Sequence, residues 1–261
     1  MTKTASLAVV TGASLGIGRE IAVTLAGHGW DVAFSHLGDE TEAAEVSGLI
    51  AATGRKALAV RCDVGVKVEV WAFYQSVMAT FGRAPDLLVN NAGIQTWASL
   101  LELAEADWDR VIRTNLKGCF LNTQRAAQLM VEHGVRGAII NIGSACNKVA
   151  FPRLVDYTAS KGGIEQFTKV SAVELGPHGI RVNCVAPGAI EHERTKLEAP
   201  DYAKTWAAIT PLGRVGSTAD VAKVVHFLAT DAASFVTGQT IYVDGGAFSV
   251  PNWPYPPGKK G

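Results

Sequence analysis

The segment YTASK contains a tyrosine and a lysine, Tyr157 and Lys161, with the residue types and the spacing of an acid/base pair. Side chains four residues apart lie on one face of a helix, so the lysine ammonium would lie near the phenol. A free phenol has a pKa of about 10 and is a poor base at neutral pH, but a nearby positive charge stabilises the phenolate and lowers that pKa. The pair therefore indicates proton transfer by Tyr157, although a surface pair without chemistry has the same pattern.

A glycine-rich segment, TGASLGIG, follows an apolar run near the N-terminus and precedes an amphipathic segment. Gly12, Gly16 and Gly18 would let the backbone approach a pyrophosphate closely. The helix that follows would offer backbone N–H donors at the positive end of its dipole. The segment predicts a dinucleotide site, and a tight turn without a ligand is the alternative.

These two segments belong to a longer series with the order and spacing of one enzyme family. The other members are CDV (62–64), NNAG (90–93), TN (114–115), NIGS (141–144) and APG (186–188). Ser144 precedes Tyr157 by thirteen residues, as the catalytic serine of that family does. The chain resembles the short-chain dehydrogenases/reductases over nearly its whole length, and within them the glucose 1-dehydrogenase and 3-oxoacyl-(acyl-carrier-protein) reductase branch.

The resemblance implies hydride transfer between a nicotinamide dinucleotide and a carbonyl or secondary alcohol group. Tyr157 would be the general acid/base, and Lys161 would lower its pKa and bind the nicotinamide ribose. Ser144 would hydrogen-bond the substrate oxygen, and Asn115 would hold a water of the proton relay. The roles of Ser144 and Tyr157 agree with the chemistry of hydride transfer. Negative charge develops on one substrate oxygen, so two hydroxyl donors must converge there.

The resemblance also implies which residues bind the dinucleotide. They are Gly12, Ser14, Leu15, Gly16, Ile17, Gly18, Ser35, His36, Asp63, Val64, Asn90, Ala92, Gly93, Tyr157, Lys161, Pro187, Gly188 and Ile190. Asp63 and Val64 would line the adenine. Asn90 and Gly93 would line the adenosine-side ribose and the neighbouring backbone. For Asp63 and Asn90, capping of a strand end is an alternative role.

The residues after the second predicted strand bear on the choice between NAD and NADP. Family members that use NAD often have an aspartate at the position of His36, and many that use NADP have an arginine at Leu37 or a basic residue at Leu15. Without an acid at His36, Ser35 and His36 could donate hydrogen bonds to a 2′-phosphate, but neither is a fixed cation. We predict that both dinucleotides are used, with NADP modestly favoured.

The resemblance implies a substrate pocket formed after NNAG, after the serine and after APG. Its residues would be Gln95, Trp97, Ser144, Asn147, Phe151, Tyr157, Glu191 and His192. Several are polar, and a buried polar group without a partner costs about 1–3 kcal/mol, so we predict a sugar, polyol or hydroxyketone substrate. Glu191 and His192 stand where the family often has a small residue and a threonine. They either project toward the substrate, form an exposed loop, or leave the threonine's role to Thr195.

Three other functions remain open. A 3-oxoacyl-(acyl-carrier-protein) reductase shares all the motifs, but its acidic carrier would need a basic patch, for which Arg125, Arg136 and Arg153 are scattered candidates. A catalytically silent dinucleotide-binding protein is disfavoured by the intact catalytic residues. A dehydratase or epimerase on the same fold is the third.

The elements that must position these residues alternate along the chain. Apolar β-branched runs predict strands at Leu7–Val10, Val32–Phe34, Ala57–Val60, Leu87–Val89, Ala138–Ile142, Arg181–Val185 and Thr240–Val243. Amphipathic patterns predict helices at Arg19–Ala26, Glu40–Ala52, Trp108–Val131 and Ala159–Leu175. Strands without polar alternation are buried on both faces. The alternation therefore predicts an α/β fold, a doubly wound parallel sheet (Rossmann fold) of about seven strands with helices on both faces.

We predict a single domain over residues 1–249, with a substrate loop at about 188–212, and a tail rich in proline and aromatic residues at 250–261. The tail either is a frayed end or packs Trp253 and Tyr255 onto a surface, and in an oligomer it could place one of them near the active site of a neighbouring subunit. The resemblance implies a homotetramer, in which the two long helices pair across one axis and the last strand region pairs across another.

The composition limits the partners. The chain has 261 residues and a net charge of zero, so its charge gives no basis for binding nucleic acid or an anionic membrane. No apolar segment approaches the length of about 20 residues that a membrane span needs. The four cysteines form no C-x-x-C pair and the six histidines are scattered. We predict a cytoplasmic protein with reduced thiols, no metal site and a small-molecule substrate.

Overall fold

A computed structural model describes residues 5–38 and 40–250 of the chain, and a parallel sheet of seven strands forms its centre. The strands in chain order are β1 (Leu7–Val10), β2 (Asp31–His36), β3 (Ala57–Arg61), β4 (Leu87–Asn90), β5 (Ala138–Ile142), β6 (Arg181–Pro187), β7 (Ile190–Glu191), β8 (Gly216–Ser217) and β9 (Thr240–Val243). The short strands β7 and β8 pair with each other outside the main sheet. Each of the seven predicted strands is present in the main sheet, which confirms the predicted fold class.

The order of the strands creates a crevice at one edge of the sheet. The order is β3-β2-β1-β4-β5-β6-β9, with all neighbours parallel. The chain builds outward from β1 to β3 and then returns to the other side of β1 at β4. In such a sheet, ligands bind outside the carboxyl ends of the strands where the order reverses. The glycine-rich segment follows β1 and the NNAG segment follows β4, so both border this crevice.

Helices cover both faces of the sheet. They are α1 (Gly16–Gly27), α2 (Glu40–Ala52), α3 (Lys67–Phe81), α4 (Glu105–Ile112), α5 (Gly118–Glu132), α6 (Val155–Leu175), α7 (Glu193–Glu198), α8 (Tyr202–Ala207) and α9 (Thr218–Ala229). Helices α1, α2 and α9 pack on one face, and α3, α5 and α6 on the other. In β1, Ala8 and Val10 belong to the first core and Leu7 and Val9 to the second, which explains the uninterrupted apolar run.

The predicted helix Trp108–Val131 is not one regular helix. It consists of α4 and α5 joined by a π-helical turn at Arg113–Lys117. A π-helical turn accommodates one extra residue and occurs frequently at functional sites. Asn115 lies in this turn and is buried. A hydrophobic period of about 3.6 does not reveal a single extra residue, so the sequence pattern could not predict the turn.

Two predictions concern segments at or beyond the limits of the structure. Residues 251–261 lie outside the described part of the chain, so the roles of Trp253 and Tyr255 stay predictions. The predicted substrate loop contains β7, α7 and α8 rather than irregular chain. Among residues 5–38 and 40–250, no helix combines the length and the apolar composition needed to cross a bilayer.

Candidate active site

The glycine-rich loop between β1 and α1 is held by the segment that follows β4. Asn91 donates from Nδ2 to the carbonyl oxygens of Thr11 and Gly12, at 3.0 and 2.9 Å. Gly12 has a φ of +64°, and a Cβ there would lie 2.8 Å from Cα of Ala92, so the position requires glycine. The predicted residues Gly12 and Ala92 therefore meet. Asn91, which the sequence argument did not assign, fastens the two segments.

The N-terminus of α1 is open to the crevice and fits an anionic group. A Cβ on Gly16 would have no contact closer than 4.0 Å, which is the distance to Cγ of His192 across the crevice. Leu15 precedes the helix, and its side chain cannot accept a hydrogen bond from the first-turn N–H groups. Those donors and the positive dipole end suit the pyrophosphate of a dinucleotide.

Ser144 and Tyr157 meet at the carboxyl end of β5. Ser144 lies just beyond β5, and Tyr157 lies in the first turn of α6. Both residues line one cavity, and Oγ of Ser144 accepts a hydrogen bond from the backbone N–H of Cys146 at 3.3 Å. Burial raises the pKa of Tyr157 to about 12, while the neighbouring Ser144 hydroxyl acts in the opposite direction. The phenol is therefore protonated at neutral pH and able to donate.

Lys161 lies one helical turn beyond Tyr157 and is buried. Its Nζ donates to the carbonyl oxygen of Ile142 at 2.6 Å and lies 5.5 Å from the centroid of the Tyr157 ring. Burial also lowers the pKa of Lys161 itself. Desolvation of the phenol is the largest effect on the pKa of Tyr157 and raises it, so the lowering of that pKa by Lys161 stays a prediction.

Asn115 of the π-helical turn faces the same region. Its Oδ1 accepts a hydrogen bond from the N–H of Ile94 at 2.8 Å, and its Nδ2 donates to the Ile94 carbonyl and to Oγ of Ser160, at 2.9 and 3.0 Å. A Cβ on Gly93 would lie 3.4 Å from Oδ1 of Asn115 and 3.7 Å from Nζ of Lys161. The structure thus brings the four predicted catalytic residues to one region.

A cavity of about 670 Å³ opens above these residues. The predicted site residues that line it are Ile17, Gly93, Gln95, Trp97, Ser144, Phe151, Tyr157, Lys161, Pro187, Gly188, Ile190 and His192. Asn147 and Glu191 are not among the residues that line it, so their role in binding substrate stays a prediction. Nδ2 of Asn147 lies 3.9 Å from Sγ of Cys184, its Oδ1 is buried without a hydrogen-bond partner in the described part of the chain, and Glu191 forms an ion pair with Lys196 at 3.5 Å.

Three aromatic residues of the cavity wall were not assigned from the sequence. They are Tyr202 and Trp206 of α8, and Phe248. The ring centroid of Phe248 lies 5.4 Å from that of Phe151 and 6.0 Å from that of Trp206, in edge-to-face geometry. The four-residue spacing of Tyr202 and Trp206 within the predicted loop was the available signal, since it places both on one helix face. The wall is more aromatic than predicted.

Two predicted dinucleotide residues direct their side chains away from the crevice. Nδ2 of Asn90 donates to Oγ1 of Thr123 and Oδ1 of Asn141, at 2.9 and 2.8 Å, inside the core. Val64 is buried against α5, where a Cβ on Gly118 would lie 2.8 Å from its Cγ2. The side chains of Asn90 and Val64 are therefore turned into the core, and contact of either residue with the adenosine through its backbone stays a prediction.

Asp63 links the end of β3 to the π-helical turn. Its carboxylate forms an ion pair with Arg113 at 3.0 Å and accepts a hydrogen bond from the N–H of Gly65 at 2.9 Å. These contacts match the capping role that the sequence left open. A contact with adenine stays a prediction.

Ser35 and His36, at the end of β2, are both almost fully buried, with 1% and 2% of their surface exposed. Oγ of Ser35 accepts a hydrogen bond from the N–H of Gly12 at 3.3 Å, so it supports the glycine-rich loop from below. In this arrangement neither side chain can donate to a 2′-phosphate. The expected modest preference for NADP loses that part of its basis.

Glu42, which was not predicted to be a site residue, places a carboxylate beside the residues that follow β2. The point that a Cβ of Gly38 would occupy is 3.1 Å from Oε2 of Glu42 and 3.8 Å from Oγ of Ser14. Glu42 belongs to the first turn of α2, and Ser14 to the glycine-rich loop. A carboxylate at the crevice disfavours a phosphate and favours ribose hydroxyls.

Comparison with known proteins gives consistent relatives. A family model described as enoyl-(acyl carrier protein) reductase matches residues 12–247. The chain is 42% identical over 248 residues to a 3-oxoacyl-(acyl-carrier-protein) reductase of Staphylococcus aureus, covering 95% of this chain and 99% of that protein. It is 41% identical over 250 residues to the (3R)-3-hydroxyacyl-CoA dehydrogenase of Homo sapiens, covering 93% and 95%. The crystal structure of acetoin dehydrogenase from Enterobacter cloacae matches with a TM-score of 0.89 and 36% identity, covering 98% of this chain and 100% of that one.

Proposed function

Because this chain belongs to the short-chain dehydrogenase/reductase family, we propose that Tyr157 is the acid/base of a hydride transfer between NAD(P) and a carbonyl or secondary alcohol group. The chain is an oxidoreductase, as its relatives are. The observation that carries the proposal is that Ser144, Tyr157 and Lys161 line one cavity of substrate size.

The residues divide the proton chemistry among them. In reduction, negative charge grows on the substrate oxygen, and the hydroxyls of Ser144 and Tyr157 stabilise it from adjacent positions. Tyr157, protonated at neutral pH, gives up its proton to that oxygen. Lys161 stabilises the resulting phenolate, and Asn115 holds the water through which the proton is replaced. When bound, the dinucleotide supplies the hydride donor or acceptor.

The proposed substrate is a sugar, polyol or hydroxyketone. Gln95 offers hydrogen bonds within the cavity, and the rings of Phe151 and Trp206 offer flat surfaces for the CH groups of such a molecule. The Enterobacter cloacae neighbour is named for a hydroxyketone. The aromatic character of the cavity wall favours a substrate with few hydroxyl groups, hence a hydroxyketone over a sugar.

A 3-oxoacyl thioester is the second candidate. The aromatic wall of Tyr202, Trp206 and Phe248 suits an acyl chain, and the relatives from Staphylococcus aureus and Homo sapiens are named for acyl substrates. Of the three arginines considered for a basic patch, Arg125 lies over the ring of Trp71, 6.0 Å from its centroid, and neither it nor Arg136 lines the cavity. Arg153 lies beside the cavity, next to Leu154 of its wall, but a single arginine is a weak patch for an acidic carrier.

A substrate panel assayed with both dinucleotides tests these proposals. We expect acetoin to be turned over faster than glucose, xylitol or acetoacetyl-CoA, with NAD(H) and NADP(H) within about tenfold of each other, or about 1.4 kcal/mol. Neither dinucleotide gains a strong preference, because the positions of Leu15, His36 and Leu37 carry no fixed cation for the 2′-phosphate and the carboxylate of Glu42 offsets the modest NADP preference predicted from the sequence. The measurement is nicotinamide absorbance alongside product analysis.

Other outcomes of the panel are decisive. Turnover of acetoacetyl-CoA alone selects the thioester reductase. Product formation without any change in nicotinamide absorbance indicates a dehydratase or epimerase and contradicts net hydride transfer between the dinucleotide and the substrate. A preference for one dinucleotide above about a hundredfold contradicts the proposed dual use.

The proposed assembly is a homotetramer. Helices α5 and α6 border an apolar groove of about 420 Å³ with Phe120 and Phe167 on its wall, a surface that a second copy would cover. The edge strand β9 is only partly buried, and an uncovered edge favours pairing with another chain. These two surfaces correspond to the two axes that the resemblance implies.

Substitution of Val131 by glutamate is expected to disrupt the contact between the α5–α6 grooves of two copies and lower the particle mass in light scattering. Val131 lies on α5 at the wall of this groove with 43% of its surface exposed, and a charge there is costly to bury in an interface. Val68→Glu is the matched control, since Val68 on α3 is 73% exposed and lies away from this groove. A wild-type chain that is monomeric, or equal masses for both variants, would contradict the assembly.

The proposed location is the cytoplasm, and the proposed unit of activity is the single domain of residues 1–249. All four cysteines are free and buried, which suits a reducing compartment.

A further inference from the structure

Asp156 is a buried carboxylate directly before Tyr157, and the proton chemistry described above does not use it. Only 1% of its surface is exposed, and it lies in the first turn of α6. An acidic residue in a first turn normally faces water and gains a modest benefit from the helix dipole. Burying it is costly unless its oxygens find partners. Its contacts therefore show what the position is used for.

Each oxygen of Asp156 has one partner, and the two partners lie in different segments. Oδ1 accepts a hydrogen bond from the backbone N–H of Tyr157 at 2.7 Å. Oδ2 accepts one from Oγ1 of Thr96. Thr96 stands between Gln95 and Trp97, which both line the cavity. One carboxylate thus joins the start of the acid/base helix to a cavity wall that is sixty residues away in the chain.

A second connection fastens the same two segments. The backbone N–H of Ala98 donates to the carbonyl oxygen of Arg153 at 3.0 Å, and Ala98 forms a parallel bridge with Leu154. Arg153 has a φ of +68°, the only positive value for a non-glycine residue within the described ranges. A non-glycine residue in that region is strained and persists only where its surroundings impose it. The contact of Ala98 with Arg153 and Leu154 therefore forms at an energetic cost, immediately beside the cavity.

We propose that Asp156 is a positioning residue, which fixes the wall of Gln95 and Trp97 relative to the phenol of Tyr157 and thereby sets how a substrate carbonyl is aligned. This inference rests on the proposed function, since it takes Tyr157 as the acid/base. Asp156 touches neither substrate nor dinucleotide. Its effect reaches them through the N–H of Tyr157 on one side and the hydroxyl of Thr96 on the other.

Three substitutions distinguish the effect of the two hydrogen bonds of Asp156 from the effect of its negative charge. Thr96→Val keeps the shape but removes the hydroxyl donor. Asp156→Ala removes both contacts. Asp156→Asn can keep both, because its carbonyl oxygen can accept from the N–H of Tyr157 and its amide can donate to Oγ1 of Thr96. Thr53→Val is the matched control, since the Thr53 hydroxyl donates to the Ile50 carbonyl at 2.7 Å at the end of α2, far from the cavity.

The probes are acetoin and acetoacetyl-CoA, whichever of them the wild type turns over. For Thr96→Val and Asp156→Ala we expect KM for the probe to rise by about tenfold to a hundredfold, the range for a misaligned wall, with a smaller change in kcat. Asp156→Asn should restore most of the wild-type KM, and Thr53→Val should equal the wild type. Affinity for NADH and NADPH, from the fluorescence of the bound nicotinamide, and the pH profile of kcat should be unchanged in all four.

Two results would overturn the inference. The first is a wild-type KM in Thr96→Val and Asp156→Ala, measured well below their melting temperatures. The second is equal damage by Asp156→Asn and Asp156→Ala, which would mean that the negative charge matters rather than the two contacts. Failure of the proposed function is distinguishable, because it would appear as activity retained in Tyr157→Phe, whatever the KM values of these variants.

Discussion

Replacement of Tyr157 by phenylalanine is expected to lower kcat/KM by about 10²–10⁴-fold, the range that a positioned acid/base contributes. Phenylalanine keeps the ring and its packing and removes only the hydroxyl. Ser144 can still donate a hydrogen bond to the substrate oxygen, but an aliphatic hydroxyl is a far weaker acid than a phenol. The proton would then have to come from water. Steady-state kinetics with the best substrate of the panel measures the loss.

Binding of the reduced dinucleotide separates lost chemistry from a damaged site. NADH and NADPH should bind Tyr157→Phe as they bind the wild type, because the glycine-rich loop and α1 do not depend on the phenol hydroxyl. Tyr74→Phe is the matched control. Tyr74 is fully buried in the core and donates to the Asn122 carbonyl at 3.3 Å. Substantial turnover by Tyr157→Phe would contradict the assigned role, and so would an equal loss in Tyr74→Phe.

The fold could be predicted because a strand that is buried on both faces is an uninterrupted apolar run in the sequence. Every predicted strand is present, and the errors lie at strand ends. The strand predicted at Val32–Phe34 extends to Asp31 and His36. Asp31 accepts hydrogen bonds from the side chain of Arg55 and the N–H of Lys56, both at 3.0 Å. A polar residue joins a strand when such partners arrive from elsewhere in the chain, and hydrophobic periodicity does not show them.

The candidate site was predicted unevenly for a related reason. The motif residues Ser144, Tyr157 and Lys161 come together because their motifs follow β5 and begin α6. Asn90 and Asn147, by contrast, are polar residues whose partners are distant in sequence. The sequence shows that an amide is present, but not whether it faces the crevice or the core. Two of the missed aromatic residues, Tyr202 and Trp206, lie on a helix within the segment that was predicted as a substrate loop.

Replacement of Lys161 by methionine is expected to lower kcat/KM by about 10²–10³-fold, comparable to the loss of one preorganised charge-stabilising donor. Burial already raises the pKa of Tyr157 to about 12. Without the ammonium the phenolate is still less favoured, so the pH at which alcohol oxidation accelerates should move upward. The pH profile of kcat/KM for oxidation measures this shift. Lys169→Met is the matched control, since Lys169 on the same helix is exposed and paired with Glu165 at 3.2 Å.

The same substitution is expected to leave the protein at least as stable as the wild type. Burial lowers the pKa of Lys161 in the folded state. A group with a lowered basic pKa binds its proton less readily when folded. Its ammonium therefore costs stability at every pH below the unfolded value of about 10.4, and this cost disappears as the pH rises above it. Methionine removes that cost and loses the hydrogen bond to the Ile142 carbonyl. Urea unfolding at neutral pH compares the two free energies. A variant that unfolds more readily and keeps its activity would show that the ammonium serves the fold rather than the reaction.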